Sequence, residues 1–549
     1  MPTKQPSLTV GREGSGATLR EEMKLVATGA ILLTAISLAY CARHGYLLLY
    51  GDAVAHLHIA RRIFDSLNPG LGQLGSVWLP LPHLLLLPFV QQTAWWQNGL
   101  AGAIPSMASY VMACVGIYRL ARRWMRPSLA ILVFLALALN PGLLYMSVTA
   151  MTEPLYLALM IWSVVHLTAF ESALREADAP TARATLVKLT LVLIASVFTR
   201  YDGWILGTLA WGMVAYWTLR HGWWRQRANA GVLAVCTLCL LAAPLTWIGY
   251  NWHMYGDPLD FLRGPYSAKA IAARTTKPGS LPYPGWHHPW WAFLYYVKSA
   301  KMGAAPLKCG RWLLLMAAVG TAYVLVRYRS SAVSAAILLW LPIPFYTYSV
   351  AYGSVPIFLP VWFPHSYYNT RYGMELLPAF ALFPAFSLWA AMKKWPQWNR
   401  ALVGFAVALI LAGNAFLLHA TPLVFQEAKA NAATRIPFET ALAQKLVLLP
   451  PQATVLMYTS AHVGALQQIG FSLRRTINEG DYQRWQDALA DPAAAADYVV
   501  AIDGDPVAEA VKKYPQNLEL QYVICSTGQP CARIYRSTLG ARLLVSPNK

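Results

Sequence analysis

Charge is scarce in this chain. Only 12% of its 549 residues are Asp, Glu, Lys or Arg, and 57% are hydrophobic, whereas a soluble domain carries about 25% charged residues. This composition excludes an ordinary soluble protein. Apolar runs near 20 residues recur along the chain, and each is long enough to cross a bilayer. The chain is therefore expected to be a polytopic α-helical membrane protein.

Cysteine and special loop motifs are also sparse. The sequence has seven cysteines, no internal repeat, no Gly-rich phosphate loop and no long low-complexity tract. Cys236-x-x-Cys239 has zinc or redox spacing, but inside an apolar helix two small packing residues are the favoured interpretation. Cys525 and Cys531 flank a polar STGQP segment, which would close a small disulfide loop if it lies outside the cytoplasm.

The charges that are present are mostly basic. The net charge is +20, which by itself is compatible with nucleic-acid binding. Most Lys and Arg residues, however, lie in short loops between apolar runs, as in 119–126, 220–227 and 393–400. That distribution is typical of cytoplasmic loops of a membrane protein, so no nucleic-acid partner is expected.

The positions of these basic loops predict a topology. If the N-terminus lies inside, the compact basic loops all fall on the same side of the membrane, as the positive-inside rule requires. The run 77–92 must then not cross, and its three prolines favour a juxtamembrane or re-entrant segment on the outer side. About eleven crossings are predicted, near 25–42, 99–118, 128–146, 153–170, 186–199, 203–219, 230–250, 312–326, 332–350, 373–391 and 401–420.

This topology divides the chain into three parts. A cytoplasmic segment (1–24) precedes the membrane domain (25–420), whose first apolar run is expected to be a retained helix because no small-residue cleavage site follows it. The outer face receives loops 43–98, 251–311 and 351–372 and the tail 421–549. The tail alternates strand-like segments (ATVLMY, ADYVVAID, LELQYVI, ARIYRS) with helix-like ones, which predicts a small extracytoplasmic α/β domain.

Asp52 is the leading functional candidate. It follows the first membrane helix at the outer side, and ionisable groups near a membrane are costly and often functional. His56 lies four residues later, so a helix beginning here would place both side chains on one face. A plain helix cap is the alternative for Asp52. A zinc pair of His56 and His58 is not favoured, because residues two apart on a helix point apart.

Further acidic residues lie at outer ends of predicted helices. Glu153 begins a helix before Pro154, where matching to the helix dipole is the alternative to a functional role. Arg200, Tyr201 and Asp202 stand between two apolar runs. They form either a substrate-facing cluster or a local pair that anchors a turn.

The two later outer loops supply cations and aromatic rings. Arg263 and Lys301 lie in or beside loop 251–311, in a setting that suits an anionic lipid headgroup. Loop 351–372 is rich in aromatic residues and contains His365, Tyr368 and Arg371. Aromatic faces suit a sugar ring or an isoprenoid chain, and a guanidinium suits a phosphate.

The order of these segments resembles the GT-C superfamily of membrane glycosyltransferases, which includes protein O-mannosyltransferases and lipid A aminoarabinose transferases. The resemblance rests on segments within about residues 25–390. They are GDAVAHLHIARRI after the first helix, the proline-containing WLPLPHLLLLP, the basic turn and helix pair YRLARRWMRPSLAILVFLALALNPGLLYMSVTAMTEPLYL, TRYDGW followed by YGDPLDF, and NTRYGMELLPAFAL.

The resemblance implies a GT-C-like fold and a function. It implies transfer of a sugar from a polyprenyl-phosphate-linked donor to an acceptor hydroxyl on a lipid, glycan or protein at the outer membrane face, in a bacterial inner membrane. Asp52 matches the family's catalytic acidic residue and is expected to be the general base of an inverting reaction. The substrate-binding candidates are His56, Glu153, Arg200, Tyr201, Asp202, Arg263, Lys301, His365, Tyr368 and Arg371.

Some family members carry a paired acid at the position of Asp52, whereas Ala53 follows it here. The sequence therefore establishes no cofactor, and a divalent metal stays an open alternative without support in the sequence. Two other classes stay open. A lipid or solute transporter would place polar residues at helix centres and show repeat symmetry. A scaffold with an extracytoplasmic binding domain would not need acids and bases on one face.

Overall fold

The computed structural model describes residues 16–275, 279, 281–306, 308–328 and 332–539. Residues 1–15 of the predicted cytoplasmic segment lie outside the described residues. The helices up to the outer end of the last predicted crossing are α1 (Gly16–Arg43), α2 (Gly51–Arg62), α3 (Pro80–Val90), α4 (Thr93–Asn98), α5 (Leu100–Arg122), α6 (Pro127–Ala138), α7 (Pro141–Met146), α8 (Glu153–Arg175), α9 (Ala179–Val197), α10 (Asp202–Arg220), α11 (Arg227–Tyr255), α12 (Asp260–Arg263), α13 (Ala268–Thr275), α14 (Pro289–Ala304), α15 (Cys309–Tyr328), α16 (Pro342–Tyr352), α17 (Leu377–Lys394) and α18 (Asn399–His419).

The membrane class of the chain is confirmed. Within the described residues, nine helical segments are long and apolar enough to cross a membrane. Each of the eleven predicted crossings overlaps a helix, although two of them are interrupted. The stretch 128–146 divides into α6 and α7 because Pro141 follows Asn140, whose side chain caps α7 by accepting from the Leu143 N–H at 3.0 Å. The stretch 332–350 begins as a 3₁₀ helix (Ala332–Trp340) before α16.

The proline-containing run 77–92 forms a short helix. α3 has 11 residues and is therefore about 16 Å long, well below the roughly 30 Å of bilayer hydrocarbon. It lies beside α2, where His56 Nδ1 and His83 Nε2 are 2.9 Å apart. This length agrees with a segment that stays on one side of the membrane.

The tail forms a helix followed by a small α/β unit. Its elements are α19 (Leu423–Leu446), β1 (Val455–Met457), α20 (Gly464–Gln468), β2 (Thr476–Ile477), α21 (Gln483–Ala490), α22 (Pro492–Ala495), β3 (Tyr498–Ile502), α23 (Pro506–Lys513), β4 (Leu518–Ile524) and β5 (Ala532–Ser537).

The strands form one sheet in the order β2-β1-β3-β5-β4. β1 is parallel to β2 and β3, and β5 is antiparallel to β3 and β4. All four predicted strands are present, and β2 is an additional short one. Cys525 and Cys531 form a disulfide that links the end of β4 to the start of β5.

Two close backbone contacts set the turns that carry candidate residues. At Gly203 a Cβ atom would collide with the Ser196 carbonyl, so glycine lets α10 begin tightly against the end of α9. At Gly373 a Cβ would lie 2.5 Å from the Ala300 N atom. This glycine therefore lets the 3₁₀ helix Thr370–Leu376 lie directly on α14.

Candidate active site

Asp52 lies in the first turn of α2. The N-cap of this helix is Tyr50, whose side chain makes no capping hydrogen bond, so Asp52 is not the N-cap residue. Its Oδ2 atom instead accepts from Arg371 Nη2 at 2.5 Å. The pair joins loop 43–98 to the end of loop 351–372, across 319 positions of sequence.

Arg371 binds three carboxylates. Besides Asp52, its Nε lies 3.2 Å from Glu153 Oε1 and its Nη1 lies 3.1 Å from Glu427 Oε1. The guanidinium also lies over the rings of Tyr50 and Tyr372, with 5.4 and 5.0 Å to the centroids. The first carboxylate of α8 and one from α19 thus hold the arginine that contacts Asp52.

Arg200 forms a second, neighbouring cluster. Its guanidinium lies 3.1 Å from Glu375 Oε1, 3.5 Å from Asp202 Oδ2 and 3.5 Å from Glu153 Oε1. Glu153 therefore belongs to both clusters. Arg200 also donates to the Tyr346 hydroxyl at 2.5 Å and to Thr152 Oγ1 at 2.9 Å, so it ties the turn before α10 to α8 and α16.

Accessibility separates the five carboxylates that these two arginines bind. The side chain of Asp52 is 39% exposed. Glu153, Asp202, Glu375 and Glu427 are between 0% and 5% exposed. Of these five, only Asp52 can meet a substrate hydroxyl without rearrangement of the protein.

His56 is buried beside the cluster as a neutral ring. Burial lowers its pKa to about 3, with help from the charges of Arg371 and Arg200. Because one hydrogen is shared between His56 Nδ1 and His83 Nε2, each ring is held in one tautomer. His58 is also buried, and burial together with Arg62 lowers its pKa. Among the described residues no group of three or more His, Cys, Asp or Glu forms a metal-binding cluster.

The aromatic loop contributes Tyr368 near Asp52. Its backbone pairs with Phe358 in an isolated bridge, and burial together with the negative charge of Asp52 raises the pKa of its hydroxyl. His365 is exposed and has its Nδ1 atom 3.1 Å from the Pro360 carbonyl. Tyr368 thus lies within electrostatic reach of Asp52, whereas the contact of His365 is local to its own loop.

Two candidates make contacts away from both arginine clusters. Tyr201 donates to the Val77 carbonyl at 2.7 Å and stacks on Phe261 with 5.2 Å between centroids. Arg263 pairs with Asp257 at 2.6 Å on an exposed surface. In this structure Tyr201 anchors the first outer loop, and Arg263 closes the start of the second.

Lys301 belongs to a separate group of cations. Lys298 and Lys301 lie three residues apart on α14. The charge of Arg311 acts on Lys298, and the charges of Lys298 and Arg311 act on Lys301. Burial, and then these like charges, lower the pKa of both amino groups. Lys298 also lies 5.4 Å from the ring centroid of Trp362. α14 contacts the Arg371 segment through Ser299 Oγ, which donates to the Thr370 carbonyl at 2.8 Å.

Several residues at the clusters were not among the sequence candidates. Glu427 and Asn431 lie on α19, beyond the last predicted crossing, and Tyr346 lies inside a predicted apolar helix. The rule that collects acids at outer helix ends, applied past residue 420, would have included Glu427. His83 had no such signal, because a lone histidine in an apolar run is indistinguishable from a packing residue.

The helical core, the outer loops and the C-terminal sheet together define the class: the chain has the GT-C fold. In a comparison with solved structures it superposes on ArnT from Cupriavidus metallidurans, solved with undecaprenyl phosphate, with a TM-score of 0.54 and 15% identity over 93% of this chain and 97% of that one. The resemblance inferred from the sequence is thus confirmed for the fold.

The oligosaccharyltransferase from Archaeoglobus fulgidus, in its apo form, is a more distant match. It has a TM-score of 0.47 and 12% identity, over 87% of this chain and 69% of that one. No family model matches the sequence, and no curated protein matches it.

Proposed function

We propose that this protein is a membrane glycosyltransferase that moves a sugar from a polyprenyl-phosphate donor to an acceptor hydroxyl at the outer face of a bacterial inner membrane. The observation that carries the proposal is Asp52, the solvent-reachable carboxylate of the two arginine clusters. The GT-C fold supports it, because the similar ArnT structure holds undecaprenyl phosphate. That likeness alone would not assign a function.

The chemistry needs one base and no strong acid. The acceptor oxygen forms a bond to the anomeric carbon while the bond from that carbon to the donor phosphate oxygen breaks. The electron pair leaves with the phosphate, which is already a stable anion, and the acceptor proton passes to Asp52. Attack from the face opposite the leaving group inverts the anomeric carbon.

Arg371 leaves part of Asp52 free for this role. The guanidinium binds Oδ2, so the carboxylate retains Oδ1 for the acceptor proton. Each of the three guanidinium nitrogens already contacts a carboxylate, of Asp52, Glu153 or Glu427. We therefore assign it to orienting the base rather than to binding the donor phosphate.

The donor phosphate is better matched by Lys298, Lys301 and Arg311. Arg311 acts on both lysines, and Lys298 acts on Lys301, so an anion placed among these cations would relieve their repulsion. Charge-assisted hydrogen bonds from ammonium and guanidinium groups are strong contacts for phosphate oxygens. The same groups would stabilise the charge that develops as the phosphate leaves.

The test uses full-length protein reconstituted in nanodiscs. Undecaprenyl phosphate binding is measured first, by competition with a fluorescent polyprenyl phosphate. A panel of undecaprenyl-phosphate-linked sugars is then incubated with the protein and with membrane lipid, glycan and peptide acceptors, and products are identified by mass spectrometry. We expect binding, and transfer from at least one donor that Asp52→Asn abolishes. Transfer at the wild-type rate by a folded Asp52→Asn protein would refute the base assignment, and vectorial movement of a donor without transfer would indicate a transporter.

The orientation has its own test. Cysteines introduced singly in loop 43–98 and in the tail are labelled from outside intact cells with a membrane-impermeant reagent. The proposal requires labelling at both places. Labelling at only one of them would contradict the assignment of Asp52 and the C-terminal domain to the same outer side.

A further inference from the structure

α19 carries a polar stripe that faces the reaction site. Glu427, Asn431, Arg435 and Glu439 follow one another at intervals of four residues, and residues at this spacing share one face of a helix. Asn431 and its neighbours come from the tail and belong to none of the segments that resemble the glycosyltransferases.

Asn431 binds the residue directly before Asp52. Its Oδ1 accepts from the Gly51 N–H at 2.8 Å. Gly51 is the first residue of α2, and the first N–H groups of a helix have no partner within the helix. Tyr50 precedes it without a capping side chain. Asn431 therefore supplies, from another element, an acceptor for one of these N–H groups that lack a partner within the helix.

The same helix binds the loop on both sides of that contact. The Tyr50 hydroxyl donates to the Val424 carbonyl at 2.7 Å. Arg435 Nη2 donates to the Leu48 and Leu49 carbonyls at 2.8 and 3.1 Å. Consecutive residues 48–51 are thus bound by one helix, and their position fixes where α2 begins and where the Asp52 carboxylate lies.

α19 also holds the partner of Asp52. Glu427 Oε1 lies 3.1 Å from Arg371 Nη1, and Glu427 Oε2 accepts from the Thr370 N–H at 2.9 Å. The N-terminal half of this helix therefore contacts Arg371 directly through an ion pair, and it contacts Gly51, the residue before Asp52, through a hydrogen bond.

The C-terminal half of α19 contacts the C-terminal domain. Arg435 pairs with Glu439 at 2.6 Å, and Glu439 Oε1 lies 4.0 Å from His462 Nδ1 of that domain. The next residue, Thr440, donates to the Gln468 side chain at 3.1 Å. A displacement of the C-terminal domain along α19 would therefore move residues 48–51.

We propose that Asn431 is a positioning residue for Asp52, and that α19 is the element through which the C-terminal domain sets the geometry of the reaction site. The inference rests on the proposed function for its catalytic consequence. The positioning itself is a property of the structure that does not depend on which reaction the protein performs.

The experiment measures positioning and turnover separately, in full-length protein in nanodiscs. Asn431→Ala removes the acceptor for Gly51, and Asn431→Asp retains it. Asn414→Ala is the matched control, because it removes an asparagine hydrogen bond to the Ile410 carbonyl within α18 without touching the 48–51 loop or α19. Amide hydrogen exchange of peptides covering 46–56 reports positioning, and kcat and KM with the donor found above report turnover.

We expect exchange at Gly51 and the first turn of α2 to rise about tenfold in Asn431→Ala, since one hydrogen bond is lost. Protection should return in Asn431→Asp and stay unchanged in Asn414→Ala. The kcat of Asn431→Ala should fall by about 10- to 100-fold, with an unchanged KM for the donor and an unchanged melting temperature.

Each other outcome is informative. Unchanged exchange in Asn431→Ala overturns the positioning role. Raised exchange with wild-type kcat, in a protein that Asp52→Asn inactivates, overturns its catalytic consequence and leaves the proposed function standing. An active Asp52→Asn protein refutes the proposed base instead, whatever Asn431→Ala does, so the two failures are distinguishable.

Discussion

The clusters around Arg371 and Arg200 contain similar groups but differ in the solvent exposure of their carboxylates. Each binds three carboxylates, and Glu153 is common to both. Every carboxylate that Arg200 binds is at most 1% exposed, whereas Arg371 extends to Asp52, which is 39% exposed. The Arg200 cluster is therefore buried, whereas the Arg371 cluster is accessible to solvent at Asp52.

This difference in exposure separates a structural role of a carboxylate–guanidinium pair from a role in proton transfer. A buried carboxylate paired with a guanidinium mainly compensates a charge that burial has made costly, and removing one partner is strongly destabilising. A carboxylate that is paired on one oxygen and open on the other retains an acceptor for a proton. An ion pair near the membrane therefore does not by itself indicate catalysis. The carboxylate must also be accessible to a substrate.

The largest effect is expected at Asp52, the solvent-exposed carboxylate of the Arg371 cluster. Asp52→Asn removes the proposed base, so kcat should fall by about 10²- to 10⁴-fold. Because Asp52 is partly exposed, the free energy of unfolding should change by no more than about 1 kcal/mol. Transfer assays and thermal unfolding in detergent measure the two quantities. A large loss of stability together with activity would place Asp52 in the same structural class as Asp202.

The next largest effect is expected in the buried Arg200 cluster. Arg200→Met leaves Glu375 and Asp202 buried without their cation and should reduce stability by about 3–5 kcal/mol. Arg263→Met is the matched control, because it breaks an Arg–Asp pair on an exposed surface, and its melting temperature should match the wild type. Equal melting temperatures for the Arg200 variant and the wild type would contradict the structural assignment of that cluster.

A smaller effect concerns the donor phosphate. Lys301→Ala should weaken undecaprenyl phosphate binding roughly tenfold through loss of one charge-assisted contact, and Lys301→Arg should restore it. Lys269→Ala, an exposed lysine on α13 of the same loop, is the control. If Arg371→Lys weakened binding while Lys301→Ala did not, the phosphate would belong to the Arg371 cluster instead.

The smallest effect is a pH dependence of that binding. An ordinary lysine loses its proton near pH ~10.4, and burial with neighbouring cations lowers the pKa of Lys298 and Lys301 below that value. Binding should therefore be full at neutral pH and weaken as pH rises toward 10, earlier than for an ordinary lysine. Titration calorimetry with undecaprenyl phosphate checks this, and the Lys298→Arg/Lys301→Arg double variant should bind equally at both pH values.

Part of the site was predictable from sequence because its residues lie at recognisable boundaries. Asp52, Glu153, Arg200, Asp202 and Arg371 all lie where an apolar run begins or ends, and the structure brings these five together. Tyr201 and Arg263 lie at similar boundaries but bind Val77 and Asp257 instead. Boundary position identifies a side chain at the end of a helix, and it does not predict the partner of that side chain.

In the C-terminal domain, too, local structure was predictable from sequence and long-range contacts were not. LELQYVI and ARIYRS form β4 and β5 with the predicted bounds, because alternation and β-branched residues are local signals. α19 was not singled out, since its polar stripe is typical of any solvated helix. Its contacts with the loop before Asp52 span more than 370 positions, and no local pattern reports a contact of that separation.

The sequence by itself determined the membrane class of the protein and the strands of its tail. Each of these follows from composition or from a period along the chain, which are local properties. Only the tertiary structure decided which carboxylate stays open, that Arg371 holds Asp52, and that α19 holds the loop before it. Burial and pairing depend on segments hundreds of residues apart, and those meet only when the helices have packed.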